Sequence, residues 1–345
     1  MTFHPRICRA LHIVVLVAVA LIVSYIMIRR VGDDPGYLRA LISFEGEMPF
    51  MRRAAVPLAA AAIYHLLPDS ILPGINHSII DRSGSTFGRT NLAPDEPAML
   101  LCFSIVVAAA LIGFGFTLRA LSRTLYDDAP RSFHCWVAIV ALGAIPFTLQ
   151  TGATYYDAAT LLLFTLALLQ LARNNRTGYL LIFALACLNK ETAPLLAIPY
   201  ALYHLSLGTD RRRIAVDLTC QIIIAIAIIG ALSWLLRDNP GAALTNQLAH
   251  NLRTLKPMPF ELLAVWGAIA GFTFAEYSRK PRLLHSAIWM LPPLLLGMIP
   301  FGQLEELRIY YEVYPVVVLL MAHSIGRAMQ VQVDTASEDA VSEGL

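Results

Sequence analysis

The sequence predicts an all-α, polytopic α-helical membrane protein, with about ten transmembrane helices and an interfacial helix in its first outer loop. Three observations carry that reading. Of the 345 residues 57% are hydrophobic and only 14% are charged, and the mean hydropathy is +0.62, which leaves too little polar side chain to cover a soluble domain. Apolar runs near the roughly 20 residues that cross a bilayer recur along the whole chain. The short connections between those runs are alternately rich and poor in arginine.

The first run, residues 11–28, follows Arg6 and Arg9 and meets Arg29 and Arg30 without a small-residue cleavage site, so a retained first helix is expected rather than a signal peptide. Further spans are predicted at 98–121, 134–149, 157–172, 215–236, 260–275, 285–300 and 313–329. The run at 179–207 is too long for one crossing and is interrupted by Asn189, Lys190, Glu191 and Thr192. Two short helices meeting at that polar turn are expected. Within the first outer loop, 29–97, the segment 54–67 is apolar but short, and a crossing there would invert the charge pattern downstream; it is expected to lie in the outer interface. Residues 68–97, with their Gly, Ser, Pro and Asp, read as irregular loop, and Asn76-His77-Ser78 within them is a short match to a glycosylation sequon. The expected organisation is one membrane domain over 1–329, followed by a disordered cytoplasmic tail over 330–345 that carries Asp334, Glu338, Asp339 and Glu343.

Arg119, Arg123 and Arg131, then Arg173 and Arg176, then Arg211 to Arg213, then Arg279, Lys280 and Arg282 occupy alternate connections. The positive-inside rule puts those loops and both termini in the cytoplasm. A net charge of +2 favours neither nucleic acid nor a strongly acidic partner. The five cysteines stand singly, the nine histidines form no HExxH, and no P-loop, dinucleotide fingerprint or GxSxG elbow occurs. Thiolate or zinc sites, phosphoryl transfer from ATP and triad hydrolysis therefore drop out.

Charge gathers between Arg29 and Arg53, where four acids (Asp33, Asp34, Glu45 and Glu47) and five arginines (Arg29, Arg30, Arg39, Arg52 and Arg53) follow directly on the first helix. The topology puts these on the same side as Tyr155, Tyr156 and Asp157, Lys190 and Glu191, and Glu305, Glu306, Arg308 and Glu312. A charge at mid-bilayer costs at least about 2.5 to 3.5 kcal/mol, so deep members of this set need partners or a wet cavity. Asp33 and Asp34 rank first. Paired carboxylates split their proton affinities, and one that stays ionised beside a hydroxyl acts as general base, worth roughly 10² to 10⁴ in rate. The plainer reading of Gly-Asp-Asp-Pro-Gly is a solvated turn. Lys190 and Glu191, the most membrane-embedded ionisable pair, read either as an ion pair at a loop tip or as a site in which Lys190 faces a lipid-linked phosphate. Arg308 can grip phosphate oxygens with two hydrogen bonds, and Arg52 and Arg53 can do the same or anchor to headgroups.

With these residues in place, the chain resembles the GT-C superfamily of polytopic glycosyltransferases, which use polyprenyl-phosphate sugars. The resemblance rests on Asp33-Asp34-Pro35-Gly36-Tyr37 after the first helix, the interfacial segment 54–67, the break Leu188-Asn189-Lys190-Glu191-Thr192, and Glu306-Leu307-Arg308-Ile309-Tyr310 before a late helix. The stretch from Pro49 to Pro57 is also similar to a Pro-Phe-x-x-Arg-x-x-x-Pro motif of bacterial members. It covers most of 11–329 and departs from the pattern in carrying Asp34 where Glu is commoner.

The resemblance implies an inverting transfer in a bacterial inner membrane, with Asp33 or Asp34 as base and a lipid-linked sugar donor as substrate. Lys190, Arg308, Arg52, Arg53, Tyr37, Glu191, Asp157 and Glu306 would form the substrate and phosphate contacts. No cofactor is fixed; if a divalent metal takes part, Asp34, Glu45 and Glu47 are its candidate ligands. A glycan, lipid or protein acceptor stays open. Two alternatives stay open too: a transporter or flippase of a lipid-linked saccharide, and a saccharide polymerase or ligase.

Overall fold

The computed structural model describes residues 5–31, 37–46, 50–78, 96–149, 153–241, 246–254, 260–304 and 306–333. Helix is the only regular secondary structure among them. In order these are α1 (Pro5–Arg30), α2 (Tyr37–Ser43), α3 (Ala55–Leu66), α4 (72–78), α5 (Glu96–Leu125), α6 (Arg131–Thr148), α7 (Tyr155–Ala172), α8 (Arg176–Asn189), α9 (Ala197–Ser206), α10 (Arg211–Leu235), α11 (Leu248–Thr254), α12 (Phe260–Phe274), α13 (Arg282–Ala287), α14 (Leu291–Phe301) and α15 (Tyr314–Ala328).

Among the described residues six stretches are long and apolar enough to cross a bilayer: Ala10–Arg30, Glu96–Leu125, Arg131–Thr148, Tyr155–Ala172, Arg211–Leu235 and the unit Arg282–Phe301. They make the chain a helical membrane protein, since a helix satisfies all its backbone polar groups within the segment. Ala55–Leu66, Arg176–Asn189, Ala264–Phe274 and Tyr314–Ala328 are apolar but shorter, so the length criterion is met six times rather than about ten. The run at 179–207 is broken between α8 and α9 at Lys190 to Thr192, as expected, and α15 carries Pro315 in its first turn, where proline is accommodated.

Burial ranks the helices. α7 is enclosed, with 78% of its apolar window buried, whereas α10 has 22% buried and presents Ile222, Ile223 and Ile226 outward. In a bilayer that outward face meets lipid. α5 packs on α7, α1, α6 and α3, so α5 and α7 form the centre. Gly115 lets α5 approach its neighbours: a Cβ there would meet Leu142 at 2.9 Å and Leu16 at 3.0 Å.

The α8–α9 hairpin is short. α8 has 14 residues, about 21 Å of helix, which is less than the roughly 30 Å of bilayer hydrocarbon, so with Arg176 at one interface of a bilayer its tip falls short of the other. A 3-10 turn, Ala193–Leu196, sends the chain back, and the Tyr179 hydroxyl donates to the Leu196 carbonyl at 2.7 Å. At the hairpin's base the buried Asp217 of α10 pairs with Arg176 and accepts the Tyr200 hydroxyl.

Connections tie the ends of the bundle. Arg30 donates to the Leu149 carbonyl at 2.9 Å, and its own carbonyl accepts from Ala153 at 3.2 Å. Asn239 holds the carbonyls of Phe44 and Gly46, and Asn251 holds those of Ile299 and Gly302. At the opposite end Arg327 pairs with Glu276 at 2.8 Å.

The stretch 68–97, expected to be irregular, contains α4, and the Asn76 side-chain oxygen accepts from the Ala98 amide at the start of α5, at 2.9 Å. The apolar segment at 54–67 forms α3, as expected, but is tied to the hairpin at its start through Ala54. Of the tail expected from Gln330, Val331 bonds back to Gly326 at 2.9 Å and Val333 is buried; residues 334–345 lie outside the described residues.

Gly115→Leu should lower stability by about 1–3 kcal/mol through overpacking. Gly143→Leu, at a position with no atom within 4 Å of a built Cβ, should leave it unchanged. Thermal unfolding of the two variants in detergent checks the pair.

Candidate functional site

Four chain segments meet at the hairpin-tip end of the bundle, the fourth being 306–312 before α15, and the other three are fastened through backbone groups. The first is the start of α7, where the Thr154 amide donates to Asp157 Oδ2 at 3.0 Å, as in a capping box. The second is the hairpin tip: Asn189 donates to Thr160 Oγ1 at 2.9 Å and to the Tyr156 carbonyl at 3.3 Å, locking the tip onto α7. The third is the start of α3, where the Ala54 amide donates to the Leu188 carbonyl at 2.9 Å. Arg53, one residue earlier, is thereby delivered to the hairpin tip.

The charged side chains arrive as ion pairs. Arg53 forms a fork with Glu191, Nη2–Oε1 at 2.5 Å and Nε–Oε2 at 3.1 Å, and its guanidinium carbon stands 4.2 Å from the centre of the Tyr156 ring. It also donates to the Tyr156 hydroxyl. Lys190 Nζ reaches Glu312 Oε1 at 2.7 Å, an oxygen that also accepts the Thr192 hydroxyl at 2.5 Å. Arg308 holds Glu306 at 2.9 Å and Asp157 at 3.4 Å. Lys190 and Glu312 are enclosed, with side-chain exposures of 6% and 0%, whereas that of Glu191 is 36%.

Burial opposes ionisation of Glu191, but attraction to Arg53, the hydrogen bonds to it, and Lys190 outweigh that and hold the carboxyl down to about 2. Water screens part of this attraction at so exposed a group. Burial likewise opposes the Arg308 charge, and Asp157 and Glu306 overcome it, raising its pKa.

The structure brings together Arg53, Lys190, Glu191, Asp157, Glu306 and Arg308 of the expected set. Tyr37 joins them through a narrow cavity lined by Tyr37, Leu41, Arg53, Pro57, Tyr155 and Tyr156, with room for about 10 Å³, roughly one water. Arg52 is half-buried, and its buried Nε has no hydrogen-bond partner. Asp33, Asp34, Glu47 and Glu305 lie outside the described residues. Glu45 is exposed and accepts from Ser43 at 3.3 Å. Among the described residues no group of three metal-ligating side chains assembles.

Glu312 and Tyr156 are central here, although the sequence marked them only as polar residues on the same side. Thr154 and Thr192 carried less signal, except that Thr154-x-x-Asp157 has the spacing of a capping box. Comparison with family models, curated proteins and solved structures finds no match.

Lys190→Met should destabilise the fold by about 3–5 kcal/mol, because it leaves Glu312 buried without its cation, and adding Glu312→Gln should recover much of the loss. Denaturant or thermal unfolding of the single and double variants tests this. The lowered Glu191 pKa sets a second expectation. Its contribution is fully present above the ordinary value of 4.5 and fades as pH falls toward about 2. Melting temperatures across that window should decline more steeply for wild type than for Glu191→Gln.

Proposed function

We propose that this chain is a membrane glycosyltransferase of GT-C-like architecture, moving a sugar from a polyprenyl-phosphate donor to an acceptor hydroxyl on the extracytoplasmic face, with inversion. The observation that carries this reading is the convergence of Arg53, Lys190 and Arg308 at one end of a lipid-facing bundle, beside both described ends of the Asp33-Asp34 segment. Arg30, before that segment, is bonded to Ala153 next to Thr154; Tyr37, after it, shares a cavity with Arg53.

Asp33 or Asp34 takes the proton of the acceptor hydroxyl as its oxygen attacks the anomeric carbon. The bond from that carbon to the phosphate oxygen breaks, and polyprenyl phosphate departs as an anion, so no general acid is needed. Arg53, Lys190 and Arg308, each paired with a carboxylate of the chain, are the cations available to the departing charge. A hairpin tip short of the interface suits the donor, whose prenyl chain belongs in hydrocarbon and whose phosphate sits near headgroup depth. In this reading α8, α9, α12 and α15 add to the six long stretches to give about ten membrane-entering segments. The arginine-rich loops and both termini face the cytoplasm of a bacterial inner membrane.

A panel of polyprenyl-phosphate sugars offered to the purified protein should yield consumption of one donor. Asp33→Asn or Asp34→Asn, correctly inserted, should lower that rate roughly 10²-fold or more. Full activity in both variants would remove the base assignment. Transport of saccharide into liposomes with no donor consumed would favour a transporter instead.

A further inference from the structure

The cations at the site are already neutralised by the chain itself: Arg53 by Glu191, Lys190 by Glu312, Arg308 by Asp157 and Glu306. A phosphate group reaching the cavity beside Arg53 would meet a closed cleft with room for about one water. One of these pairs must therefore open, and they are not equally placed to do so.

Lys190 and Glu312 are enclosed, and separating them would leave two buried charges unpaired. Asp157 is bound to the start of α7 as well as to Arg308, and is 2% exposed. Glu191 differs on both counts. Its side chain is 36% exposed, so it can leave into water at small cost. It also grips Arg53 with both oxygens, the two-point geometry that a guanidinium offers a phosphate.

Arg53 does not depend on Glu191 for its position. The Tyr156 ring and hydroxyl both hold it, and the Ala54 amide anchors the adjoining backbone to the hairpin.

We propose that Glu191 is a built-in stand-in for the substrate phosphate: the Arg53–Glu191 pair is a latch between the first outer loop and the hairpin tip, and a phosphate-bearing lipid opens it by taking Glu191's place on Arg53. This rests on reading the cluster as a donor-phosphate site, and the test separates the two ideas. The exchange leaves Arg53 where Tyr156 and the Ala54 amide hold it and frees its two N–H donors. Empty protein stays closed and self-neutralised, and only a ligand that supplies its own anionic group gains entry.

The test is binding of a polyprenyl monophosphate to the full-length protein in detergent, with neutral polyprenol and inorganic phosphate as competitors. Wild type, Glu191→Gln and Arg53→Gln are compared, with a melting temperature for each. Glu191→Gln should bind roughly three- to tenfold more tightly, because the internal competitor has lost its charge. Arg53→Gln should bind about tenfold more weakly or worse. Neither competitor should displace the lipid at equal concentration. If Arg53→Gln melts too low to use, Arg53→Lys keeps the charge and loses the fork, and should again bind more weakly than wild type.

Equal affinity in wild type and Glu191→Gln, with Arg53→Gln weakened, would overturn the latch and leave the phosphate site standing. Wild-type affinity in Arg53→Lys would overturn the fork exchange. Displacement by inorganic phosphate at equal concentration would overturn the lipid as the source of the anion. No binding to wild type or to Glu191→Gln would sink the phosphate reading together with the latch.

Discussion

A charge withdrawn from water must be paired, and the site end of this bundle is organised by that requirement. Lys190 and Glu312 show it most directly, since both are enclosed and each would cost several kcal/mol alone. Their contact fixes the hairpin tip against the segment before α15. Thr192 completes the arrangement by giving the same Glu312 oxygen a second donor. The other oxygen, Oε2, is buried without a hydrogen-bond partner, so the carboxylate is only half satisfied by the protein.

The hairpin is held at both ends by polar groups, within a structure whose outer faces are apolar. At its base Asp217 gathers Arg176 and Tyr200, while Tyr179 reaches across to the Leu196 carbonyl. At its tip Asn189 bonds to α7, and Lys190 and Glu191 go to different partners. A helix pair too short to span gains from such fastening, because lipid offers no hydrophobic drive to pack one apolar helix on another. The fastening is also graded: enclosed at Lys190 and Glu312, and open to water at Glu191.

α7 is the platform for this machinery. It is the most enclosed of the long helices, and its first turn supplies Thr154, Tyr156 and Asp157 to three neighbouring interactions. Asp157 serves helix and site together, since one oxygen caps the Thr154 amide and also faces Arg308. The structural and functional readings of that residue are therefore not alternatives.

Hydropathy and the spacing of arginines were enough to specify a helical membrane protein, the break at Asn189 to Thr192, and the short amphiphile at α3, because each depends on a local run of residues against a bilayer of fixed thickness. They also put Lys190, Glu191, Asp157 and Arg308 on one side. Which carboxylate meets which cation was not legible. Lys190 and Glu191 are neighbours that suggested a mutual pair, yet on the extended turn their side chains diverge, one to Glu312 and the other to Arg53. The return of Val333 onto α15 was likewise settled by packing. Composition and period act over a few residues and are written in the chain; the pairing of buried charges is a contest among distant partners, and only the folded arrangement of helices decides it.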